Sequence, residues 1–353
     1  LADTEKLMGP SYYAIALQTC CDAVNNLGSV AEARAAMMQT IERLTVEVRS
    51  SKQFVGPDVK LVVLPEYVLT AYPVGDTVPN WAAKAALDYD GPEYAALGKI
   101  AVDNGIYLAG NAYENDPNFP EIYFQTSFII DPNGEVILRY RRLNSMFAPT
   151  PHDVWDKYLD IYGMDGVFPV AKTDIGNLAA VASEEILYPE IARSLAMRGA
   201  EVFVHSTGEM GNLSETPKAI ARKARALENL AYVVSANAAG ISGHDMPFSA
   251  TDGRSSIADY KGLTLAESGW GPTMTAHACI DLNALRRHRR RPGMGNMLAR
   301  QRFELFADTY AALGSQPANA LLDAEGNVVT PERSHFIAAQ QKAIKKLVDD
   351  GTI

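Results

Sequence analysis

The chain has 353 residues, 47% hydrophobic and 21% charged, which is ample for the buried core of one large α/β domain. Its formal net charge of -10 argues against a nucleic-acid partner, because a phosphate backbone would be repelled. No apolar stretch approaches the roughly 20 residues of a membrane span, so no membrane partner is expected.

Tyr13–Gln18 reads as a short apolar strand, and helical spacing runs from about Val30 to Ser50. Val59–Leu64 is a largely apolar run that ends at Pro65-Glu66, as expected of a strand buried on both faces. Pro92–Asn104 is helical and Ile106–Ala112 is a strand. Phe124–Asp131 and Glu135–Arg141 form a hairpin around Pro132-Asn133-Gly134. A strand leading to Ser183, a helix from Pro189 to Arg198, a strand Glu201–Ser206, a helix Lys218–Leu230 and a strand Ala231–Asn237 follow. Two more strands are expected near Ser255–Ala258 and Met274–Ile280. The alternation predicts a mixed pair of sheets covered by helices. Residues 1–285 are read as one domain. Residues 286–353 are read as an extension with helices at Asn296–Leu313 and Pro331–Asp349 that packs across a subunit boundary. The run Arg286-Arg-His-Arg-Arg-Arg291 reads as a solvated turn or an oligomer contact.

The most informative segment is Leu178-Ala-Ala-Val-Ala-Ser-Glu-Glu-Ile-Leu-Tyr-Pro-Glu190. A buried strand delivers Ser183 onto a sharp turn before a helix that opens at Pro189. This segment resembles the nucleophile elbow of the nitrilase (carbon–nitrogen hydrolase) superfamily, with Ser183 in the register of the family cysteine, Glu185 in that of the elbow acid, and Pro189-Glu190 as the Pro-Glu pair. Leu64-Pro65-Glu66, Gly134-Glu-Val-Ile-Leu-Arg-Tyr-Arg-Arg142, Ala224-Arg-Ala-Leu-Glu-Asn229 and Val233-Val-Ser-Ala-Asn237 resemble further family segments in the same order, over roughly residues 11–283. The resemblance implies a four-layer α-β-β-α sandwich and a homodimer or larger homo-oligomer. It also implies hydrolysis of a non-peptide C–N bond in a small amide, carbamoyl compound or nitrile, without cofactor or metal.

The family triad is Glu, Lys and Cys. A carboxylate takes the thiol proton, the thiolate attacks, and the ammonium stabilises the oxyanion. Glu66 matches, whereas Arg142 stands in the lysine register and Ser183 in the cysteine register. No lysine lies between Lys99 and Lys157 to restore the pattern by a small shift. Arg142 suits an oxyanion or a substrate carboxylate and cannot shuttle protons. Ser183 needs a strong adjacent base, or else Glu66 activates a water directly while Arg142 and a backbone N–H near Glu184 hold the oxyanion. Two further readings stay open: a nucleophile altered by engineering, which leaves an impaired amidase, and a pocket that binds an amide-like ligand without reacting.

Other candidates for the pocket or its support are Glu185, His152 and Asp153 in the loop after Arg142, His205 at the end of the next strand, and Tyr113. Cys20, Cys21 and Cys279 show no zinc spacing. Gly293-Met-Gly295 lacks the context of a dinucleotide fingerprint. The first residues do not read as a signal peptide, and the cytoplasm is the expected compartment.

Overall fold

The computed structural model describes residues 9–210, 215–248, 251 and 253–353. Two six-stranded mixed sheets lie at its centre. The first runs β14 (Met274–Asp281), β1 (Ser11–Gln18), β3 (Val59–Val63), β4 (Tyr107–Asn115), β5 (Tyr123–Ile130), β6 (Val136–Arg141). The second runs β13 (Thr264–Glu267), β12 (Ser256–Ala258), β10 (Tyr232–Asn237), β9 (Val202–Thr207), β8 (Gly176–Ala182), β7 (Ala171–Thr173). The short strands β2 (Cys21–Asp22) and β11 (Ile241–Ser242) pair separately.

Period-2 alternation decides which side chains meet between the sheets. Ala14 and Ala16 of β1, Leu61 and Val63 of β3, and Ala109 of β4 share one buried cluster with residues of β8, β9 and β10, including Val202, Val204 and Val233. The opposite parity, Ile15, Leu17, Val62 and Leu108, faces α1 (Val30–Val55), α2 (Val78–Ala85) and α3 (Pro92–Asn104). On the far side, α5 (Pro189–Met197) and α6 (Pro217–Asn229) bring Ile191, Leu195 and Ala226 onto the second sheet. Helix, sheet, sheet, helix is the expected order of layers.

Glu66 follows β3 in the first sheet, Ser183 follows β8 in the second, and Arg142 follows β6 at the first sheet's edge. In an open α/β sheet the strand ends are where backbone groups run out of partners and loops can build a site. β3 ends one residue before Leu64-Pro65-Glu66, and β8 ends at Ala182. The β5–β6 hairpin turns at Gly134, whose positive φ of 89° no side chain adopts readily. Gly98 in α3 lies against that turn, and a Cβ there would meet the Gly134 carbonyl oxygen at 2.7 Å.

Three stretches depart from the expected elements. Residues 73–90 and 143–168, where no helix is expected from the sequence, contain α2 and α4 (Trp155–Val167), the latter kinked at Gly163. The helix expected at Asn296–Leu313 is broken into α8 (Met297–Arg300), a 3₁₀ turn and α9 (Ala307–Ala312). The arginine run is not a solvated turn. All of it but Arg291 belongs to α7 (Leu282–Arg290), which crosses residue 285 and buries Leu282 and Leu285. Arg286 pairs with Glu201 at 2.7 and 2.8 Å. Arg289 donates to the carbonyls of Leu230 and Ala200, which caps chain ends of the second sheet's helix layer. Beyond it, Leu321 and Val328 pack with Phe119, Phe124 and Tyr158 of the same chain, and α10 (Arg333–Asp349) follows.

Candidate active site

Glu66, Arg142 and Ser183 come from three distant parts of the sequence and converge on one buried polar cluster, with exposures of 3, 7 and 4%. Ser183 has φ 48°. A left-handed backbone on a residue with a Cβ costs on the order of 1–3 kcal/mol and persists only where its surroundings over-determine it. The surroundings here are specific. His205 Nε2 donates to the Ser183 carbonyl at 2.8 Å, and its Nδ1 lies 2.7 Å from Ser235 Oγ. A carbonyl only accepts, so the ring carries its proton on Nε2 and receives the serine hydroxyl at Nδ1. Burial first, then the nearby Arg222, hold His205 well below the usual imidazole range, so it is neutral. His205 therefore braces the turn from beneath and has no ring nitrogen left for a substrate.

Glu185 is also a brace. Its fully buried carboxylate accepts from Tyr140 Oη at 2.7 Å and from the backbone N–H groups of Leu143 and Asn144 at 2.8 Å each. Burial pushes it up to about 7, against Arg142, Tyr140 and the two amides, which pull it down. It thus fastens the elbow to the chain leaving β6.

Glu66 is gripped at both oxygens. Gln125 Nε2 donates to Oε1 at 2.7 Å and the Gly208 N–H donates to Oε2 at 3.0 Å. Gln125 Oε1 in turn accepts from Arg142 Nη1 at 2.8 Å, and the same Nη1 lies 3.5 Å from Glu66 Oε1. Arg142 Nε donates to the Asn144 carbonyl at 2.7 Å, and Nη2 is paired with Glu184. Burial opposes the charge of Arg142, but Tyr67, Glu66, Glu184 and Glu185 outweigh it and push its pKa up. The guanidinium is thus committed to internal partners, which corrects the expectation of an open clamp on an oxyanion or substrate carboxylate.

Tyr113 does not reach the cluster directly. It stacks on Tyr67 at 5.0 Å, and Tyr67 Oη lies 3.5 Å from Arg142 Nη1. His152 and Asp153 lie apart. The Asp153 carboxylate caps its own turn through Thr150 N and Oγ1 at 2.8 Å each, and His152 packs on Trp155. Both line a groove of about 660 Å³ between residues 143–155, Glu184 and α10. The partners of both are local, and neither is hydrogen-bonded to Glu66, Arg142 or Ser183 among the described residues.

One residue of the cluster was not expected from the sequence. Lys218, in the first turn of α6, places Nζ 3.1 Å from Ser183 Oγ and 3.1 Å from Thr207 Oγ1. A lysine thus stands beside the nucleophile position after all, but it arrives from a helix 76 positions beyond Arg142. One signal was available: a lysine in a helix's first turn opposes the helix dipole.

The chain matches the Carbon-nitrogen hydrolase family over residues 22–290. It belongs to that family. A formamidase from Bacillus thuringiensis (strain Al Hakam) is 29% identical over 244 residues, 69% of this chain and 68% of that protein. Among solved structures, a carbon-nitrogen hydrolase from Helicobacter pylori G27 superposes with TM-score 0.62 at 18% identity, covering 85% of this chain and 98% of that one. A variant of the Nesterenkonia AN1 amidase from the nitrilase superfamily gives TM-score 0.58 at 19% identity, covering 84% and 97%. This chain therefore has the nitrilase-superfamily fold and is a carbon–nitrogen hydrolase by family. Among its described residues no group of three or more His, Cys, Asp or Glu side chains could hold a metal ion, and no helix is long and apolar enough to cross a membrane.

Proposed function

We propose that this carbon–nitrogen hydrolase cleaves a small amide at Ser183, through an acyl-enzyme, with Glu66 as the carboxylate beside the reacting atoms. The observation that carries this reading is the strained, buried Ser183 at the end of β8, in one polar cluster with Glu66 and a lysine. A left-handed turn aims a side chain away from the strand it follows, which is how an elbow exposes a nucleophile. The fixed hydrogen bonds at both oxygens of Glu66 keep it oriented. Arg142 holds Glu66, Gln125 and Glu184 in register rather than receiving substrate. The N–H groups that open the turn Ser183–Leu187 have no partner within it and supply oxyanion donors of the usual kind.

The substrate class follows from the family and from the small-amide relatives. The alternative, a protein that binds an amide-like ligand without turnover, draws on the saturation of Arg142. Ammonia release from formamide, other short aliphatic amides, carbamoyl compounds and nitriles separates the two. Release that is lost in Glu66→Gln supports hydrolysis, and a folded protein with no release across the panel favours the binding reading. We also infer a homo-oligomer in the cytoplasm. Exposed Met197, Ile220 and Leu227 on the outer helices α5 and α6 support a covered face. Sedimentation at micromolar concentration that gives only the 38.3 kDa monomer opposes it.

A further inference from the structure

We infer that Lys218 is the general base for Ser183, so that this chain runs amide hydrolysis on a Ser–Lys pair instead of the Cys, Glu and Lys of its family. The inference rests on the reading of Ser183 as nucleophile and adds the group that makes a serine competent.

A serine hydroxyl is a poor nucleophile unless its proton is removed as it attacks. Four groups near it are unsuited. His205 has both ring nitrogens engaged, one on the Ser183 carbonyl and one on Ser235. Arg142 remains charged at any accessible pH and is held by Glu66, Gln125 and Glu184. Glu185 is committed to Tyr140 and two amides. Glu66 is bonded at each oxygen to Gln125 and Gly208, and no hydrogen bond joins it to Ser183. Lys218 alone among the described residues makes a side-chain hydrogen bond to Ser183 Oγ, at 3.1 Å, within reach for proton transfer. Thr207 Oγ1 at 3.1 Å fixes the other side of the amine.

The setting favours a neutral amine. Lys218 is partly exposed along its length, but its nitrogen lies deep, and burial is the main cause that lowers its pKa. Its position in the first turn of α6 puts it at the positive end of a 13-residue helix. The charged groups that face it are Glu66 and Glu209, which favour the ammonium, and Arg222 and Arg142, which oppose it. His205 is neutral and contributes no charge. Each carboxylate is itself paired with an arginine, Glu66 with Arg142 and Glu209 with Arg222 at 2.9 Å, and the two guanidinium charges offset part of the carboxylates' pull on the lysine.

In the reaction, Ser183 Oγ bonds to the amide carbon, its proton passes to Lys218 Nζ, and the carbonyl π pair moves to oxygen. Collapse breaks the C–N bond, and the departing amine takes the proton from Lys218. Water then attacks the ester and gives a proton to Nζ, and Ser183 Oγ leaves and recovers it. Amide plus water yields acid plus amine, with no other reactant.

The test uses the full chain with Ser183→Ala, Lys218→Met and Lys218→Arg, each checked for an unchanged melting profile, and the ammonia assay on the amide panel. Loss of general-base catalysis lowers kcat/KM by about 10²–10⁴-fold. The expected result is that loss in all three variants, with a wild-type kcat/KM that climbs with pH to a single plateau. Arginine is decisive, because it keeps the charge and cannot accept a proton. Activity within about tenfold of wild type in either Lys218 variant, with Ser183→Ala inactive, overturns the role of Lys218 and leaves Ser183 as nucleophile. An active Ser183→Ala overturns both. Should no amide turn over, an alkyl fluorophosphonate serves as probe. Ser183 Oγ displaces fluoride and its proton passes to Lys218. Labelling of Ser183 in wild type that is lost in both Lys218 variants supports the pair, and an unlabelled wild type overturns it.

Discussion

Replacing Arg142 by Met should cost stability before it costs anything else. The guanidinium is 7% exposed and lies 3.5 Å from Glu66 Oε1, with Glu184 as a second anionic partner. At an effective dielectric of about 20, one pair at that distance is worth roughly 5 kcal/mol before desolvation is counted. Removing one member strands a buried carboxylate, and such losses run to about 3–5 kcal/mol. Gln125 and Gly208 still donate to Glu66, so the lower end of that range is expected. Urea unfolding of wild type, Arg142→Met, Glu66→Gln and the double variant closes a thermodynamic cycle. A coupling of about 2–3 kcal/mol is expected, with Glu66→Gln restoring part of what Arg142→Met loses. A single-variant loss below about 1 kcal/mol, or a coupling near zero, would refute the view that Arg142 is an internal tie.

Glu185→Ala should leave Tyr140 and two backbone amides without an acceptor and destabilise by about 3 kcal/mol or more, whereas Glu185→Gln should cost clearly less; equal losses in urea would contradict the bracing role. Because burial raises Glu185 to about 7 from its ordinary 4.5, its contribution to stability is fully present below 4.5 and lost as pH rises through 7, so that part of the pH–stability curve should vanish in Glu185→Gln. His205 has the opposite sign: its folded pKa is depressed, so its contribution is present above the unfolded value of about 6.5 and falls away in acid, and His205→Gln should flatten the acid slope measured by chemical unfolding. Gly98→Ala should cost about 1–3 kcal/mol in thermal unfolding, because its Cβ would meet the Gly134 carbonyl at 2.7 Å; an unchanged midpoint would mean the hairpin yields freely.

The layered fold was legible because its strands are short apolar runs with clean ends. Val59–Val63 stops before Pro65, Pro92–Asn104 has Pro at its start and Gly105 behind it, and the β5–β6 hairpin is marked by Asn133-Gly134. α4 was hidden because Gly163 and Gly166 interrupt a stretch whose aromatics bury against Phe119 and Phe124, contacts set by tertiary packing. Convergence of Glu66, Arg142 and Ser183 could be anticipated from strand ends. The saturation of Arg142 could not, since Gln125 and Glu184 gain meaning only once β5 and the elbow are side by side. Lys218 carried only the weak signal of a cation in a helix's first turn, and its partner Ser183 comes into view for the same reason only in the folded chain. The family pattern directs attention to a lysine after β6, while this one approaches from α6, on the other side of the second sheet's end.

Quenched-flow intact mass spectrometry during turnover of a small amide tests the acyl-enzyme at Ser183 most directly. A transient mass increase equal to the acyl group, mapped to the peptide spanning residues 176–198 and absent in a folded Ser183→Ala protein that releases no ammonia, is the predicted result. Steady ammonia release by Ser183→Ala, with no adduct at any time point in wild type, would contradict it.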